Sequence, residues 1–529
     1  MTLVDTEART RIATDLTTNL FVEAGAGTGK TQSLVNRILG LVTTGTFPNG
    51  IADLAAITFT ENAAAELRNR VRQQLDRAVA DPALAADERE RFRAALASLD
   101  DASLSTLHGF ALRLLSDFTL EADLPLGFTV QDDIRAGLAR DLWWARSVDA
   151  ALEDPALTAV WTTCLALELT PRALRVIADR MQADWDQLES MAVTPPTVPR
   201  WDMPAVVGPL REAVRRYADV GPEGDPLTTY LRGPLRTLLD DLDAEPDDLG
   251  RASVLLNQAV KTRCGDRAAR KKAGTPKSKP VDILVQADSA WQARLSAVRT
   301  ACIEQLVCWL RDAVLDDAAR RQTEGSLHFH DLLVLARRLL QKPQVREALH
   351  HRWPVIMVDE FQDTDPLQVE IVHLLASATF PDSWQECDAA GGRLFFVGDP
   401  KQSIYRFRRA DVELYNAVRE TIAVRPQLVQ NFRSHPGILR VVNHSLRKLM
   451  DGKPGQVPYA ELMAAREEVP GDKGPNVLLL GKGHATDMAG VRQEEAAHVA
   501  TICRQAAGHW TVRDGRLAAC AAGGAHRPA

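Results

Sequence analysis

The chain opens with an alternation of short apolar runs and longer helical patterns. The predicted strands are residues 19–24, 54–59 and 102–106, and the helices that follow them are 30–42, 61–80 and one that begins around His108. Short apolar runs of this kind are typical of strands buried on both faces of a sheet. The alternation predicts an α/β fold in which helices cover a parallel β-sheet.

The middle of the chain has a different character. From about residue 126 to 320 the pattern is that of long helices rich in tryptophan, without glycine-rich strand ends, and this predicts a largely helical insertion. Strand and helix patterns return at 328–340, 355–358, 394–398, 427–430, 476–480 and 492–507. We expect the strand at 427–430 to open a second α/β domain. Beyond about residue 510 neither a helical nor a strand period is recognisable.

The bulk composition is ordinary for a globular protein of several domains. The chain has 529 residues, of which 45% are hydrophobic and 25% charged, and this length exceeds what a single hydrophobic core supports. No apolar run approaches the roughly 20 residues that span a bilayer. Seven dispersed cysteines without a Cys-x-x-Cys pair favour reduced thiols over a zinc or iron–sulfur site. We therefore expect a cytoplasmic protein with no membrane partner.

The net charge gives no indication of a nucleic-acid partner, because 63 basic residues face 70 acidic ones and the sum is −7. Residues 401–450 depart from this average, with ten Lys or Arg and three acidic residues. A solvated surface is the usual reason for such a segment. Here, however, Tyr405 and Phe407 alternate with Arg406 and Arg408, and a mixture of aromatic and basic side chains suits single-stranded nucleic acid.

A glycine-rich segment follows the first strand and opens a helix. Its residues are Ala24, Gly25, Ala26, Gly27, Thr28, Gly29, Lys30 and Thr31. The glycines let backbone N–H groups turn towards phosphate oxygens, and the N-terminus of the next helix adds a favourable dipole. This setting predicts a phosphate loop, in which Lys30 reaches the β- and γ-phosphates of ATP and Thr31 ligates Mg²⁺.

A second half-site stands at the end of the apolar run 355–358, where Asp359 and Glu360 follow. A buried parallel strand delivers such a pair to the carboxyl edge of a sheet, where ligands of open α/β sheets bind. An acidic pair at a strand end is common, and it gains meaning from the phosphate loop. We expect Asp359 to hold Mg²⁺ and Glu360 to act as the base that orients or deprotonates the attacking water.

Six motifs in order give the chain a family resemblance. They are Ile-Thr-Phe-Thr-Glu-Asn-Ala-Ala-Ala-Glu-Leu at 57–67, Ser-Thr-Leu-His-Gly-Phe at 105–110, Gly-Ser-Leu-His-Phe-His-Asp-Leu-Leu at 325–333, Asp-Glu-Phe-Gln-Asp-Thr-Asp-Pro-Leu-Gln at 359–368, Val-Gly-Asp-Pro-Lys-Gln-Ser-Ile-Tyr-Arg-Phe-Arg at 397–408 and Gln-Asn-Phe-Arg-Ser at 430–434. The chain resembles the superfamily-one DNA helicases of the UvrD/Rep type. Pro-Lys-Gln at 400–402 and the long insertion favour their RecB/AddA-like branch.

The resemblance implies a domain plan. A first RecA-like motor domain comprises 1–125 and 321–425, and the helical insertion is 126–320. Residues 426–512 are the start of a second motor domain, which we expect to be incomplete because the motifs that end this family are not found. Residues 513–529 are expected to be an aberrant tail.

The resemblance also implies roles for individual residues. Gln402 senses the γ-phosphate and couples it to DNA, and Arg433 reaches the γ-phosphate from the second motor domain. Bases of single-stranded DNA stack on Phe59 and Phe407. Further DNA contacts are assigned to Thr60, His108, Tyr405 and Arg408; for His108 a structural role as a residue at a helix start is equally open.

The implied activity is that of an ATP-dependent DNA helicase moving 3′ to 5′ in repair or recombination, with single-stranded DNA and duplex junctions as partners and ATP and Mg²⁺ as cofactors. The alternative is a fragment that binds ATP and DNA without unwinding. Whether a second nuclease or helicase subunit takes part stays open. Two departures from the family stand out: Arg409 replaces a usual glycine, and no glutamine precedes Gln32 to read the adenine.

Overall fold

The computed structural model describes residues 3–220, 224–262, 278–377, 379, 383–450, 457, 459–467, 477, 487–506, 511–512 and 527–528. These residues belong to two compact units. The first comprises Met1–Ala102, Val355–Asp365 and Gly391–Ala529, and the second Ser103–Pro354 and Pro366–Ala390. The strand predicted at 476–480, except residue 477, and the tail predicted at 513–529, except 527–528, lie outside the described residues.

The regular elements alternate between strands and helices at both ends of the chain and are helical in its middle. The strands are β1 (Leu20–Ala24), β2 (Leu54–Thr58), β3 (Ser103–Thr106), β4 (Thr129–Val130), β5 (Ser326–Leu327), β6 (Val355–Val358), β7 (Leu394–Gly398), β8 (Gln427–Leu428), β9 (Gln430–Asn431), β10 (Met463–Ala464), β11 (Thr511–Val512) and β12 (Arg527–Pro528). The helices are α1 (Thr6–Thr14), α2 (Lys30–Thr44), α3 (Glu61–Ala80), α4 (Ala86–Ala97), α5 (Leu107–Asp117), α6 (Asp133–Glu153), α7 (Pro155–Ala166), α8 (Pro171–Ala183), α9 (Trp185–Glu189), α10 (Met203–Tyr217), α11 (Pro226–Arg232), α12 (Pro234–Ala244), α13 (Asp248–Asn257), α14 (Ser278–Glu324), α15 (Phe329–Leu340), α16 (Pro343–Arg352), α17 (Pro366–Ala376), α18 (Val412–Thr421), α19 (Pro436–Leu449) and α20 (Met488–Ala506).

Five strands of the first unit form a parallel sheet in the order β2–β6–β7–β1–β8. Strands that are distant in sequence are neighbours here: Ile57 of β2 lies opposite Val358 of β6, and Glu23 of β1 lies opposite Gly398 of β7. Every residue of β2, β6 and β7 is buried, which is why these strands read as continuous apolar runs. The predicted α/β fold with a parallel sheet is confirmed.

An aromatic cluster packs beside the middle of this sheet. The ring of Phe361 lies 4.5 Å from that of Phe396 and 5.5 Å from that of Phe21, and Tyr415 of α18 lies 5.0 Å from Phe21. All four side chains are almost fully buried. Phe361 directly follows Glu360 in the chain, so the cluster anchors the backbone on which the acidic pair stands.

The second unit is dominated by helices, and every regular element described between residues 131 and 325 is one. A hydrophobic core of this unit is contributed chiefly by α7 and α10–α14 and contains the stacked rings of Trp201 and Trp291, 5.8 Å apart. A buried ionic group braces α9, α14 and α15. The carboxylate of Asp331 accepts hydrogen bonds from the Arg321 guanidinium at 2.8 and 2.9 Å and from the Trp185 indole at 2.8 Å.

The strand predicted at 427–430 is in fact two short strands. Gln427–Leu428 pairs with β1 in the main sheet, whereas Gln430–Asn431 pairs with β10 in a separate two-stranded sheet. The domain boundaries predicted from the sequence remain a prediction. Within the described residues, none of the helices combines the length and the apolar composition that a membrane crossing requires.

Candidate active site

The phosphate loop joins β1 to α2. Ala24 ends the strand and is buried, and α2 begins at Lys30, with Thr31 in its first turn. Gly27 and Gly29 have φ values of +70° and +86°, in the left-handed region that side chains other than glycine rarely adopt. The Thr28 hydroxyl donates to the carbonyl of Gly25 at 2.7 Å and closes the turn. The segment from Ala24 to Thr31 is thus a tight glycine-dependent turn at a helix N-terminus, a site that favours phosphate.

The acidic pair follows β6, as its sequence predicts. The N–H of Asp359 donates to the carbonyl of Ile57 on β2 at 2.9 Å, and the N–H of Glu360 donates to Oδ1 of Asp359 at 2.9 Å. Glu360 has φ +51° and ψ +43°, a left-handed conformation that costs a residue other than glycine on the order of 1 kcal/mol. Strain of this kind concentrates at functional sites, where neighbouring packing holds it in place.

An ion pair joins the phosphate loop to the acidic pair. Nζ of Lys30 lies 2.5 Å from Oε2 of Glu360, and the Lys30 side chain is only 11% exposed. Burial, and then the negative charge of Glu360, raise the pKa of Asp359 to about 6 although Lys30 opposes the rise. The same two causes raise the pKa of Asp363 to about 6. The charge of Lys30 therefore only partly offsets that of Glu360 at both carboxyls, and the described residues contain no group of three or more His, Cys, Asp or Glu side chains placed to hold a metal ion.

An amide connects the acidic pair to the next strand end. Nε2 of Gln362 donates to Glu360 at 2.8 Å, and its Oε1 accepts the N–H of Asp399 at 2.8 Å. The Asp399 carboxylate in turn accepts Nε2 of Gln402 at 2.7 Å and Nζ of Lys401 at 2.8 Å. Gln402 is predicted from the sequence, whereas Gln362 and Asp399 are missed. Both belong to the family motifs, and a polar residue beside a strand-end carboxylate is the signal that could have identified them.

Arg433 stands on a segment that is bonded to the phosphate loop. The side-chain amide of Asn431 donates to the carbonyl of Ala26 at 2.6 Å, and the N–H of Phe432 donates to the carbonyl of Gly27 at 2.9 Å. A Cβ atom on Gly27 would lie 2.8 Å from Cβ of Arg433. Arg433, which is predicted to reach the γ-phosphate, therefore lies next to the phosphate loop. It is exposed.

The two predicted base-stacking residues, Phe59 and Phe407, lie on either side of the ring of Tyr405. The ring of Tyr405 lies 4.7 Å from that of Phe59 and 5.7 Å from that of Phe407, which is 68% exposed. Arg408 lies in the same single turn as Phe407. Thr60 caps α3, because its hydroxyl accepts the N–H of Ala63 at 3.1 Å. These residues offer aromatic surface between two loops at the carboxyl edge of the sheet.

His108 belongs to the second unit, in the first turn of α5. Its ring packs edge-on against Phe329, at 5.7 Å between ring centres, and Phe329 is 52% exposed at the start of α15. Phe329 is missed by the prediction from sequence, although its motif is one of the six. An aromatic residue between two histidines at a helix start is the signal that could have identified it.

Comparison with known proteins relates the chain to helicases. The profile of the UvrD/REP helicase N-terminal domain matches residues 4–423. Proteins named as the A subunits of ATP-dependent helicase/nucleases are similar to 83–84% of the chain: that of Desulforamulus reducens is 27% identical over 514 residues, that of Moorella thermoacetica 29% over 503 and that of Levilactobacillus brevis 29% over 518. The chain spans 34–39% of the length of these three relatives.

Proposed function

Because the chain belongs to the UvrD/REP helicase N-terminal domain family, we propose that it is the motor part of an ATP-dependent DNA helicase that translocates along single-stranded DNA. The observation that carries the proposal is the meeting of Lys30 and Glu360, 2.5 Å apart, at the carboxyl edge of a parallel sheet. The resemblance of the motifs supports movement from 3′ to 5′ and a role in DNA repair or recombination.

ATP binding and hydrolysis use groups that the structure already brings together at the phosphate loop, among them Lys30 and Glu360. The backbone N–H groups of the phosphate loop and the α2 N-terminus hold the phosphates, and Lys30 leaves Glu360 to bind the β- and γ-phosphates. Glu360, released from the ion pair, orients the attacking water and accepts its proton. Mg²⁺, held by Thr31 and Asp359, supplies positive charge to the phosphate oxygens when it is bound.

Two further side chains complete this half. Gln402 senses the γ-phosphate, and Arg433 stabilises the charge that develops on it, as an arginine finger does. The hydrogen bonds of the Asn431 side chain and the Phe432 backbone to the phosphate loop support this role, because they hold the Arg433 segment against the loop.

The DNA half relies on stacking rather than on base edges. Phe59, Tyr405 and Phe407 offer three adjoining rings, and a base stacked on such a ring contributes about 1–3 kcal/mol whatever its sequence. Sequence-independent binding is what a translocating motor needs. His108 and Phe329 of the second unit are further candidates for DNA contact.

A hydrogen-bonded chain supports communication between the two halves. It runs from Glu360 through Gln362 to Asp399 and on to Gln402, and Tyr405 follows three residues later. A change of partners at Glu360 alters the bonds that Gln362 makes and hence the environment of the loop that carries the rings. The names of the relatives describe them as subunits, so we propose that the complete protein works together with a different polypeptide.

The test is DNA-stimulated ATP hydrolysis by the purified chain. We expect Lys30→Ala and Glu360→Gln each to lower turnover with oligo(dT) by at least about a hundredfold, the usual loss when a transition-state contact is removed. Lys342→Ala and Glu324→Gln are matched controls, since both side chains make surface ion pairs in the second unit, which does not contain the phosphate loop, and we expect them to retain turnover.

Wild-type turnover in Lys30→Ala or Glu360→Gln would refute the assigned roles. Duplexes with a 3′ or a 5′ single-stranded tail then test unwinding and its direction. Unwinding of only the 5′-tailed duplex would contradict the proposed polarity, and stimulated hydrolysis without unwinding of either would favour a fragment that binds DNA and ATP but does not separate strands.

A further inference from the structure

Asp5 accepts hydrogen bonds from two segments of the first unit, its own helix and residues 429–430. Its carboxylate accepts Nε and Nη2 of Arg9 at 2.8 and 2.9 Å and the backbone N–H groups of Val429 and Gln430 at 3.0 Å each. Asp5 is 6% exposed. Burial alone would raise the pKa of this carboxyl, but the hydrogen bonds from Arg9, Gln430 and Val429 outweigh it and lower the pKa. The carboxylate therefore stays ionised and holds all three groups at neutral pH.

Arg9 extends this contact to the phosphate loop. Its Nη2 also donates to the carbonyl of Thr28 at 2.9 Å, and its guanidinium carbon lies 5.1 Å from the centre of the Phe432 ring. A Cβ atom on Gly29 would lie 3.8 Å from its Nη1. One guanidinium thus meets a buried carboxylate, a loop carbonyl and the aromatic ring that precedes Arg433.

The arrangement fixes two elements against each other through α1. Thr28 belongs to the loop that binds phosphate, whereas Val429 and Gln430 lead directly to Arg433. A bidentate pair between a carboxylate and a guanidinium specifies orientation as well as distance. Asp5 binds the segment that leads to Arg433, and Arg9 binds the phosphate loop. A small shift of either side chain therefore moves the Arg433 segment relative to the phosphate loop.

We propose that Asp5 and Arg9 are positioning residues for ATP hydrolysis, which set Arg433 in register with the phosphate loop. The inference rests on the proposed function, in which Arg433 stabilises the γ-phosphate. It adds the N-terminal helix to the hydrolytic machinery, although neither side chain is assigned a contact with the reacting atoms.

The variants Asp5→Asn and Arg9→Lys test the geometry with little change in size. Asparagine cannot accept hydrogen bonds on both side-chain atoms, and lysine keeps the charge of Arg9 but lacks its planar fork. We expect each to lower the turnover number at saturating ATP by about tenfold to a hundredfold, the scale of a displacement near 1 Å. Arg11→Ala is the matched control, because Arg11 pairs with Asp15 on the same helix at the same i, i+4 spacing.

A double-mutant cycle separates positioning from general support of the fold. If Asp5 acts through Arg433, Asp5→Asn has little further effect in an Arg433→Ala background, and the two losses do not multiply. Losses that multiply in full, or wild-type turnover in both Asp5→Asn and Arg9→Lys, would overturn the inference. Wild-type turnover in Arg433→Ala would instead refute the arginine-finger role itself, and this inference with it.

Stability measurements keep the result interpretable. We expect Arg9→Lys and Arg433→Ala to melt within a few degrees of the wild-type chain, since both side chains are partly exposed. If Asp5→Asn melts well below the wild type, the double-mutant cycle is built from Arg9→Lys and Arg433→Ala instead. A turnover loss in Arg9→Lys that is fully explained by a lower melting temperature would also overturn the inference.

Discussion

Replacing Asp359 by asparagine should make the protein more stable while it abolishes hydrolysis. Asp359 is 8% exposed, and its pKa rises to about 6 because it is buried and lies beside Glu360, with Lys30 only partly compensating. Raising a carboxyl pKa from 3.8 to about 6 corresponds to about 3 kcal/mol lost on ionisation in the folded state. Asparagine removes that cost, and its carbonyl oxygen can still accept the N–H of Glu360, as Oδ1 of Asp359 does at 2.9 Å.

The sign of the pH dependence follows from the raised pKa. Between about pH 4 and 6 the folded state binds more protons at Asp359 than the unfolded state does, so stability falls as the pH rises through this window. Above about pH 6 the cost is complete, and near pH 4 it vanishes. Asp359→Asn should therefore exceed the wild type by up to about 3 kcal/mol at pH 7.5 and approach it near pH 4. For a chain of 529 residues each kcal/mol shifts the melting temperature by about 1 °C, so it would rise by about 3 °C at pH 7.5.

The assay is thermal unfolding at pH 4.5, 6.0 and 7.5 without Mg²⁺ or nucleotide, followed by Mg²⁺-dependent ATP hydrolysis at pH 7.5. Asp15→Asn is a control of opposite sign, because hydrogen bonds from Thr18 and Arg11 lower the pKa of Asp15 despite some burial. That variant should lose stability at pH 7.5 and recover parity only in acid. An Asp359→Asn variant that melts no higher than the wild type at pH 7.5, or whose advantage does not shrink towards pH 4.5, would refute the reasoning.

Three further predictions concern other parts of the chain. Arg409→Gly should raise the free energy of unfolding by up to about 1 kcal/mol, because Arg409 has φ +68° and glycine adopts this conformation without strain; an unchanged or lower value in urea unfolding would contradict it. Asp331→Asn should lower that free energy by about 3–5 kcal/mol, since it leaves the buried charge of Arg321 without its full partner, and a loss below about 1 kcal/mol would show that the network is dispensable. Tyr405→Ala should weaken oligo(dT) binding by about 1–3 kcal/mol in fluorescence anisotropy, with Tyr405→Phe near the wild type. Equal affinity in the alanine variant would remove Tyr405 from the DNA surface.

Much of the sheet could be predicted from the sequence because buried parallel strands leave a strong local signal. The apolar runs at 355–358 and 394–398 coincide with β6 and β7, and the glycines of the phosphate loop identify the turn after β1. Both depend on neighbouring residues in the chain. The positions of Lys30 and Glu360 at one sheet edge could likewise be inferred, since both follow strand ends and parallel strands share their carboxyl edge.

Contacts between distant segments left no such signal. Asp5 and Gln430 are 425 residues apart, and nothing in either segment alone indicates that one binds the other. The same contact explains why the strand predicted at 427–430 is divided in two. Asp5 takes the N–H groups of Val429 and Gln430, so the strand that a local pattern suggests divides there into one piece paired with β1 and another paired with β10.

If the site binds a nucleotide as proposed, its charge balance favours a metal ion binding with it. The charge of Glu360 helps to raise the pKa of both Asp359 and Asp363, and Lys30 is the cation that opposes both rises. A nucleotide alone would add negative charge and would draw Lys30 away from Glu360. Both effects would increase the excess of negative charge at the site. Thr31 and Asp359 would hold a divalent cation bound with the nucleotide, and its positive charge would offset that of the phosphates and of the Asp359 carboxylate. The negative charge that, with burial, raises the pKa of these carboxyls would thus favour nucleotide bound with a metal ion over nucleotide alone.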